Sequence, residues 1–296
     1  MRDKTHTMIL AAAATMLPLC AGAGGHYIPG AEGIQAATAP PPGMYYLAYL
    51  INYNMDRFRA PGTSDKLAGH NRGTVSAIAS RFAWITDQKV LGADYGMELL
   101  VPVARTSLTL NAAGVSDSRS GVGDIYVGPL VLGWHGQQWD ATAAAGVWLD
   151  NGSTSSPASP GKGFKGTMLT GGMTWYFDSA RTVSASGLMR FERNGKNGDG
   201  FRPGNQISLE WGLGKNFGTV QAGLVGYSQW QVSDDKGAGA SNDRESRHAI
   251  GLQLDYPIPG AGVFLKGAVY KEVSATAGSN AYPKGSLLRL TIVKAF

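Results

Sequence analysis

The sequence predicts an all-β fold: a transmembrane antiparallel β-barrel of about twelve strands, preceded by an N-terminal signal peptide and a short extended pre-barrel segment. Three observations carry that prediction. The final stretch, Leu287-Leu288-Arg289-Leu290-Thr291-Ile292-Val293-Lys294-Ala295-Phe296, alternates up to a terminal aromatic, as a strand does when one face meets lipid and the other a polar interior. The first residues have the layout of an export signal. Between these ends, β-rich runs are joined by connections that alternate between long and short.

Taken in order, Arg2 and Lys4 precede an apolar run over residues 8–19, followed by the small-x-small triplet Ala21-Gly22-Ala23. A signal peptidase reads such a triplet, so residues 1–23 are expected to be removed and the mature chain to start near Gly24. The apolar run is short of the roughly 20 residues that span a bilayer. Leu19 stands before Cys20 where a lipoprotein cleavage site has a small residue, which argues against lipidation. Cys20, the single cysteine, leaves with the signal, so no disulfide framework or thiolate metal site is expected. The net charge of +5 is spread without a Lys/Arg cluster, which speaks against a nucleic-acid partner.

Residues 24–43 have little periodicity and contain Pro40-Pro41-Pro42, which cannot join a sheet ladder. They read as an extended segment before the barrel, either a linker or a plug in the lumen. No later stretch is apolar enough for a spanning helix, and a chain that crosses lipid without helices must do so as a closed barrel. The 42 glycines agree, since glycine weakens helices and is common at turns and strand bends.

Twelve β-rich runs follow, at 44–54, 74–86, 94–111, 123–134, 138–149, 166–177, 182–193, 206–215, 219–232, 247–256, 262–273 and 285–296, making residues 44–296 the barrel. Most reach the roughly 9 to 11 residues a tilted strand uses to cross a bilayer. Long polar loops follow the odd-numbered runs and short turns the even-numbered ones. Outer-membrane barrels place long loops outside and short turns in the periplasm, so both termini fall on the periplasmic side. Trp84, Trp134, Trp139, Trp175, Phe177, Phe217, Tyr256 and Phe296 gather at the short-turn ends, and Trp148, Trp230 and Tyr270 nearer the long loops, the arrangement of two interfacial girdles.

Strand parity assigns faces. Ile207, Leu209, Trp211, Leu213, Val183, Met189 and Phe191 go to lipid. Arg81, Glu98, Arg190, Glu192, Glu210, Asp255, Lys266 and Arg289 go to the lumen, with Tyr227, Gln229, Gln221, Gln231 and Gln253. An Arg or Lys on the lipid face near mid-membrane costs about 2 to 4 kcal/mol, which favours that inward assignment. Four acids balance four bases, a pattern for internal ion pairs or for guiding solutes rather than for strong ion selectivity. Lys294 has outward parity near the periplasmic end, where it can snorkel. In the fourth run Pro129 cannot donate to the ladder, so a bulge or kink is expected, with Leu130 and Leu132 inward.

Three candidate motifs tempt and fail on context. Gly161-Lys162-Gly163-Phe164-Lys165-Gly166 has the letters of a dinucleotide fingerprint but precedes a strand rather than a helix. His26, His70, His135 and His248 have no paired serine and acid evident in the sequence, so no catalytic role is expected. Asp199, Asp234, Asp235 and Asp243 lack calcium-loop spacing and read as solvated loop charges. No cofactor or metal is implied.

Several segments look familiar as a set: Pro40-Pro41-Pro42-Gly43-Met44-Tyr45-Tyr46, Leu91-Gly92-Ala93-Asp94-Tyr95-Gly96, Gly123-Asp124-Ile125-Tyr126-Val127-Gly128-Pro129-Leu130-Val131-Leu132-Gly133-Trp134-His135, Arg202-Pro203-Gly204-Asn205 and Gly226-Tyr227-Ser228-Gln229-Trp230-Gln231-Val232-Ser233-Asp234-Asp235. Over nearly the whole mature chain the sequence resembles the bacterial outer-membrane transporter family linked to the meta-cleavage pathway of phenol degradation. That resemblance implies an outer-membrane barrel admitting small aromatic or other hydrophobic compounds, with no catalytic residues to transfer. Phe296 also resembles the signal read by the outer-membrane assembly machinery, with Lys294 departing from its usual hydrophobic residue. The expected function is a passive channel or uptake barrel for small organic solutes, and the alternative is a sealed structural barrel whose loops contact other surfaces. Expected partners are outer-membrane lipid and lipopolysaccharide, the assembly machinery through the C-terminal strand, and small organic solutes.

Overall fold

A computed structural model describes residues 24–296; the expected export signal, with Cys20, lies outside the described residues. The chain forms β1 (Gly43–Arg59), β2 (Asn71–Val90), β3 (Ala93–Leu110), β4 (Val115–Val122), β5 (Tyr126–His135), β6 (Trp139–Trp148), β7 (Gly166–Tyr176), β8 (Val183–Asn194), β9 (Gln206–Asn216), β10 (Gln221–Gln231), β11 (Ser246–Ile258), β12 (Val263–Thr276) and β13 (Tyr282–Ala295). β1 pairs with β2 on one side and with β13 on the other, from Tyr45↔Ala295 to Arg59↔Tyr282, which closes the sheet. Closure removes the free edges of the ring that lipid could not satisfy; among the described strands β4 alone keeps an unpaired side. All pairings are antiparallel, and β4 and β5 share one position, so the barrel has twelve strands.

That shared position departs from the expected fourth strand. The long loop anticipated after residue 111 is instead a short 3-10 turn, Asn111–Ala113, and a hairpin return: β4 pairs with the outer half of β3. β5 pairs with the inner half of β3 and with β6. Between the two, Gly123 to Ile125 leave the ladder, and the loop after β6 covers the gap: Ala158 N donates to Asp117 Oδ2 at 3.0 Å and Gly152 N to Asp124 Oδ1 at 2.8 Å. The register also slips between Val127 and Leu130, around Pro129. An inserted residue flips the side chains that follow it. Val131 therefore lines the lumen and Gly133 abuts Ala39, while Leu130 and Leu132 take the opposite parity, contrary to expectation.

Elsewhere the alternation is regular. On β8 the residues from Ser184 to Asn194 with even numbers are buried, whereas Met189 is 52% exposed. Ile78, Phe82, Leu169, Leu213, Leu252 and Leu288 are likewise large and exposed. An apolar surface this extensive would drive association in water, but it is the outer face a barrel offers to lipid. Met189→Arg, in mid-strand on that face, is expected to destabilise the barrel by about 2–4 kcal/mol in urea unfolding from phospholipid vesicles; no loss would mean that this face does not meet lipid.

Trp84, Trp175, Phe177, Phe217 and Phe296 are exposed at the short-turn end. The outer girdle is thinner than expected, because Trp148 and Tyr270 are buried in the lumen. Lys294 Nζ reaches back to Ala261 O at 2.7 Å. Asp235 is not a solvated charge: it accepts from Gly204 N at 2.7 Å and Gln231 Nε2 at 2.9 Å, tying loops together.

Candidate functional site

The lumen has two unlike walls. Along β1, β2 and β3 the inward positions are mostly apolar or tyrosine, among them Ile51, Met55, Val75, Ala77 and Leu100. Along β8 to β13 they include Arg190, Glu192, Ser208, Glu210, Gln229, Gln253 and Arg289, all buried, set among the apolar Leu188, Val225, Tyr270 and Leu287. Parity exposes the polar wall in the sequence because charge cannot face lipid. The apolar wall is hidden there, since β1 to β3 carry small or apolar residues on both faces and periodicity alone does not say which face is lumenal.

Residues 24–42 run through this lumen and are held against the polar wall. At the outer end His26 N donates to Glu192 Oε1 at 2.8 Å, His26 Nδ1 lies 2.6 Å from the same oxygen, and the imidazole stacks on Trp148 with ring centroids 5.3 Å apart. Midway, Glu210 Oε2 accepts from Gly30 N at 3.1 Å and Glu32 N at 3.0 Å, and its Oε1 takes the Tyr27 hydroxyl. Arg289 donates to Gly30 O at 3.2 Å and, through Nη2, to Gln253 Oε1 at 2.7 Å. At the inner end Thr38 Oγ1 donates to Asp140 Oδ2 at 3.1 Å. The segment can approach so closely because Gly212 has no side chain: a Cβ there would come 2.7 Å from Gly33 O and 2.8 Å from Ile34 Cα.

Glu32 joins the two walls. Its Oε1 is 2.7 Å from Arg190 Nη2 and 3.3 Å from Arg81 Nη1; Arg81 also pairs with Glu98, and Arg190 with Glu210 at 3.4 Å. The Arg190 guanidinium stacks over the Tyr27 ring at 4.2 Å. This cluster lies between two cavities. One, of about 220 Å³, opens toward the long-loop end beside the apolar wall; the other, of about 720 Å³, faces the short-turn end. Ala31, Glu32, Tyr49, Arg81, Glu98 and Arg190 line both, so they form the partition.

The structure thus brings Arg81, Glu98, Arg190 and Glu210 into one cluster. Arg289 stands beside it, and Asp255 and Lys266 form a separate pair at 3.5 Å toward the inner end. Glu192 sits at the outer end. Gln229 donates to Tyr27 O at 3.3 Å and Ser208 Oγ at 2.9 Å. Tyr227 donates to Glu272 at 3.0 Å, away from the partition. Glu272 and Arg247, 3.6 Å apart, were not among the expected lumenal residues, although their parity matches that of Lys266 and Asp255. Tyr27 and Glu32 had no periodic signal at all. His248 Nδ1 lies 2.9 Å from Ser228 Oγ, but among the described residues no carboxylate bonds its other ring nitrogen.

Comparison with known proteins places this geometry. Residues 55–282 match the family described as "Putative MetA-pathway of phenol degradation". The crystal structure of an outer membrane channel from Pseudomonas putida F1 superposes with a TM-score of 0.76 at 15% identity, covering 91% of this chain and 100% of that one. A Bordetella autotransporter β domain, BrkA, gives a TM-score of 0.48 at 12% identity over 86% and 100% of the two chains. The CymD monoaromatic hydrocarbon channel gives 0.45 at 10% over 93% and 94%. These last two are too distant to carry an argument, and no curated protein matches the sequence. The closed barrel, its exposed apolar belt and the shared fold make this a bacterial outer-membrane protein. The chain belongs to the family described as "Putative MetA-pathway of phenol degradation".

Proposed function

We propose that the barrel is an uptake channel for small, uncharged organic solutes, with one-ring aromatics the best fit. The observation that carries this reading is the lumen of two walls: an apolar face leads from the outer cavity to a charged partition held by the lumenal segment. The outer cavity, of about 220 Å³, exceeds the roughly 150 Å³ that suffices to bind benzene in an apolar protein cavity. A neutral ring can move along Ile51, Val75 and Ala77 without losing hydration it never had. A sugar or an ion would have to shed water there and then displace paired charges. The name of the CymD channel speaks of monoaromatic hydrocarbons for that protein; here the solute class rests on the cavity lining.

Passage is passive in this reading and uses no catalytic group or cofactor. Arg81, Glu98, Arg190, Glu210 and Glu32 act as the gate, while Glu192 and Arg289 seat the lumenal segment. β13, ending beside Phe296, is the strand offered to the assembly machinery, and the outer rim meets lipopolysaccharide. Uptake of radiolabelled toluene and of glucose by cells with and without the gene tests the proposal. Toluene uptake should rise severalfold with glucose uptake unchanged; equal toluene rates would leave the sealed structural barrel as the better account.

A further inference from the structure

Gly24 lies against two buried side chains, each of which carries an oxygen that lacks a donor. Glu245, directly before β11, is only 2% exposed. Its Oε1 accepts from Gln206 Nε2, but its Oε2 has no hydrogen-bond partner, and neither does Gln206 Oε1. Gly24 is where these two side chains meet the lumenal segment: a side chain at that position would run into Gln206 Nε2 and Glu245 Oε1. Orphaned buried oxygens are costly, by about 1–3 kcal/mol each and more when charged, so two of them on side chains that crowd Gly24 call for a donor nearby. Among the described residues Gly24 N itself bonds nothing.

The triplet Ala21-Gly22-Ala23 ends immediately before this residue. Hydrolysis of the Ala23–Gly24 peptide bond by a signal peptidase consumes one water, giving its hydroxyl to the Ala23 carbonyl carbon and one hydrogen to the Gly24 nitrogen, which leaves a carboxylic acid and an amine with two N–H. At neutral pH the acid loses its proton and the amine takes one up, so an amide with one N–H becomes an ammonium with three. We propose that export processing occurs between Ala23 and Gly24 and that the new α-ammonium forms a buried ion pair with Glu245, also donating to Gln206 Oε1, which locks the outer end of the lumenal segment in place. Both charge and donor number match what the site lacks.

The surroundings agree. Without that cation, burial pushes the Glu245 carboxyl up to about 8; Arg247 and Lys162 pull it down, and Asp235 pushes it further up. A cation at Gly24 returns the carboxylate to its charged form. Two residues on, the His26 and Tyr27 amides are already held by Glu192, so the ammonium completes one continuous anchor at the rim. A precursor still joined at Ala23 has no charge to offer there, so processing adds the last contact at the outer end of a segment already held by Glu192 and Glu210.

The mature protein purified from outer membranes tests this. N-terminal sequencing should read from Gly24. Timed reductive dimethylation at neutral pH, followed by mass spectrometry of the N-terminal peptide, should modify the Gly24 amine at least about tenfold more slowly in the wild type than in Glu245→Gln, tenfold being the loss of free amine per unit rise in its pKa. Heat-modifiable electrophoretic mobility reports whether the variant barrel is folded. Should Glu245→Gln fail to fold, one alanine inserted after Ala23, which moves the ammonium out of the site, is expected to label as fast as the unfolded chain. A different N-terminus, or equal labelling in the wild type and the folded variants, overturns the proposal.

Discussion

Deleting residues 24–42 is expected to raise single-channel conductance in planar bilayers by about an order of magnitude. These residues fill the lumen from Glu192 at the outer end to Asp140 at the inner end, and Glu32 supplies the one carboxylate that joins Arg81 to Arg190. Without them the partition loses its centre and the two cavities merge. The barrel should survive, because closure rests on β1–β13 pairing that the deletion does not touch. The polar wall, buried only because the segment covers it, becomes hydrated instead of stranded in a dry site. Glu98, Glu192, Glu210 and Asp255 balance Arg81, Arg190, Lys266 and Arg289, so the enlarged pore should select only weakly between cations and anions. A conductance no greater than that of the intact protein would show that the wall itself closes the lumen.

Replacing Arg190 is expected to be among the most damaging single substitutions. Its guanidinium, 8% exposed, meets Glu32 at 2.7 Å and Glu210 at 3.4 Å and donates to the Tyr27 hydroxyl at 2.9 Å. Arg190→Ala removes the cation and leaves Glu210, 1% exposed, without its charge partner in a low-dielectric site. Breaking one side of such a pair costs about 3–5 kcal/mol, more than the pair itself contributes, since the remaining charge still bears its desolvation penalty. Urea unfolding in lipid vesicles measures it. In the double variant Arg190→Ala with Glu210→Gln the loss should be smaller than for Arg190→Ala alone, because the stranded charge is gone. A loss below about 1 kcal/mol for the single variant would mean that water already hydrates the cluster.

These two expectations draw on different layers of information. The run placed at 182–193 is β8, Val183–Asn194, and the run at 206–215 is β9, Gln206–Asn216. Such limits are legible because lipid on one side and polar groups on the other impose a period of two, residue by residue. Where that rule is locally broken, legibility fails with it. Pro129 announced a bulge, but the parity flip that turns Val131 inward follows from how β5 pairs with β3 and β6. The turn and hairpin at 111–122 looked like loop, since short polar residues there serve a strand edge as readily as a loop.

What the order of residues established unaided was the membrane barrel and its strand count, because both follow from side-chain chemistry within a few neighbouring positions. Which charges meet was settled by folding alone. Arg81 and Arg190 stand 109 positions apart and converge on Glu32 only once the sheet has rolled shut around a segment that has no periodicity of its own. The same closure sets an apolar wall opposite a polar one and brings Gly24 to Glu245. Contacts between distant parts of a chain depend on barrel radius, register and what occupies the interior, and no local pattern encodes those.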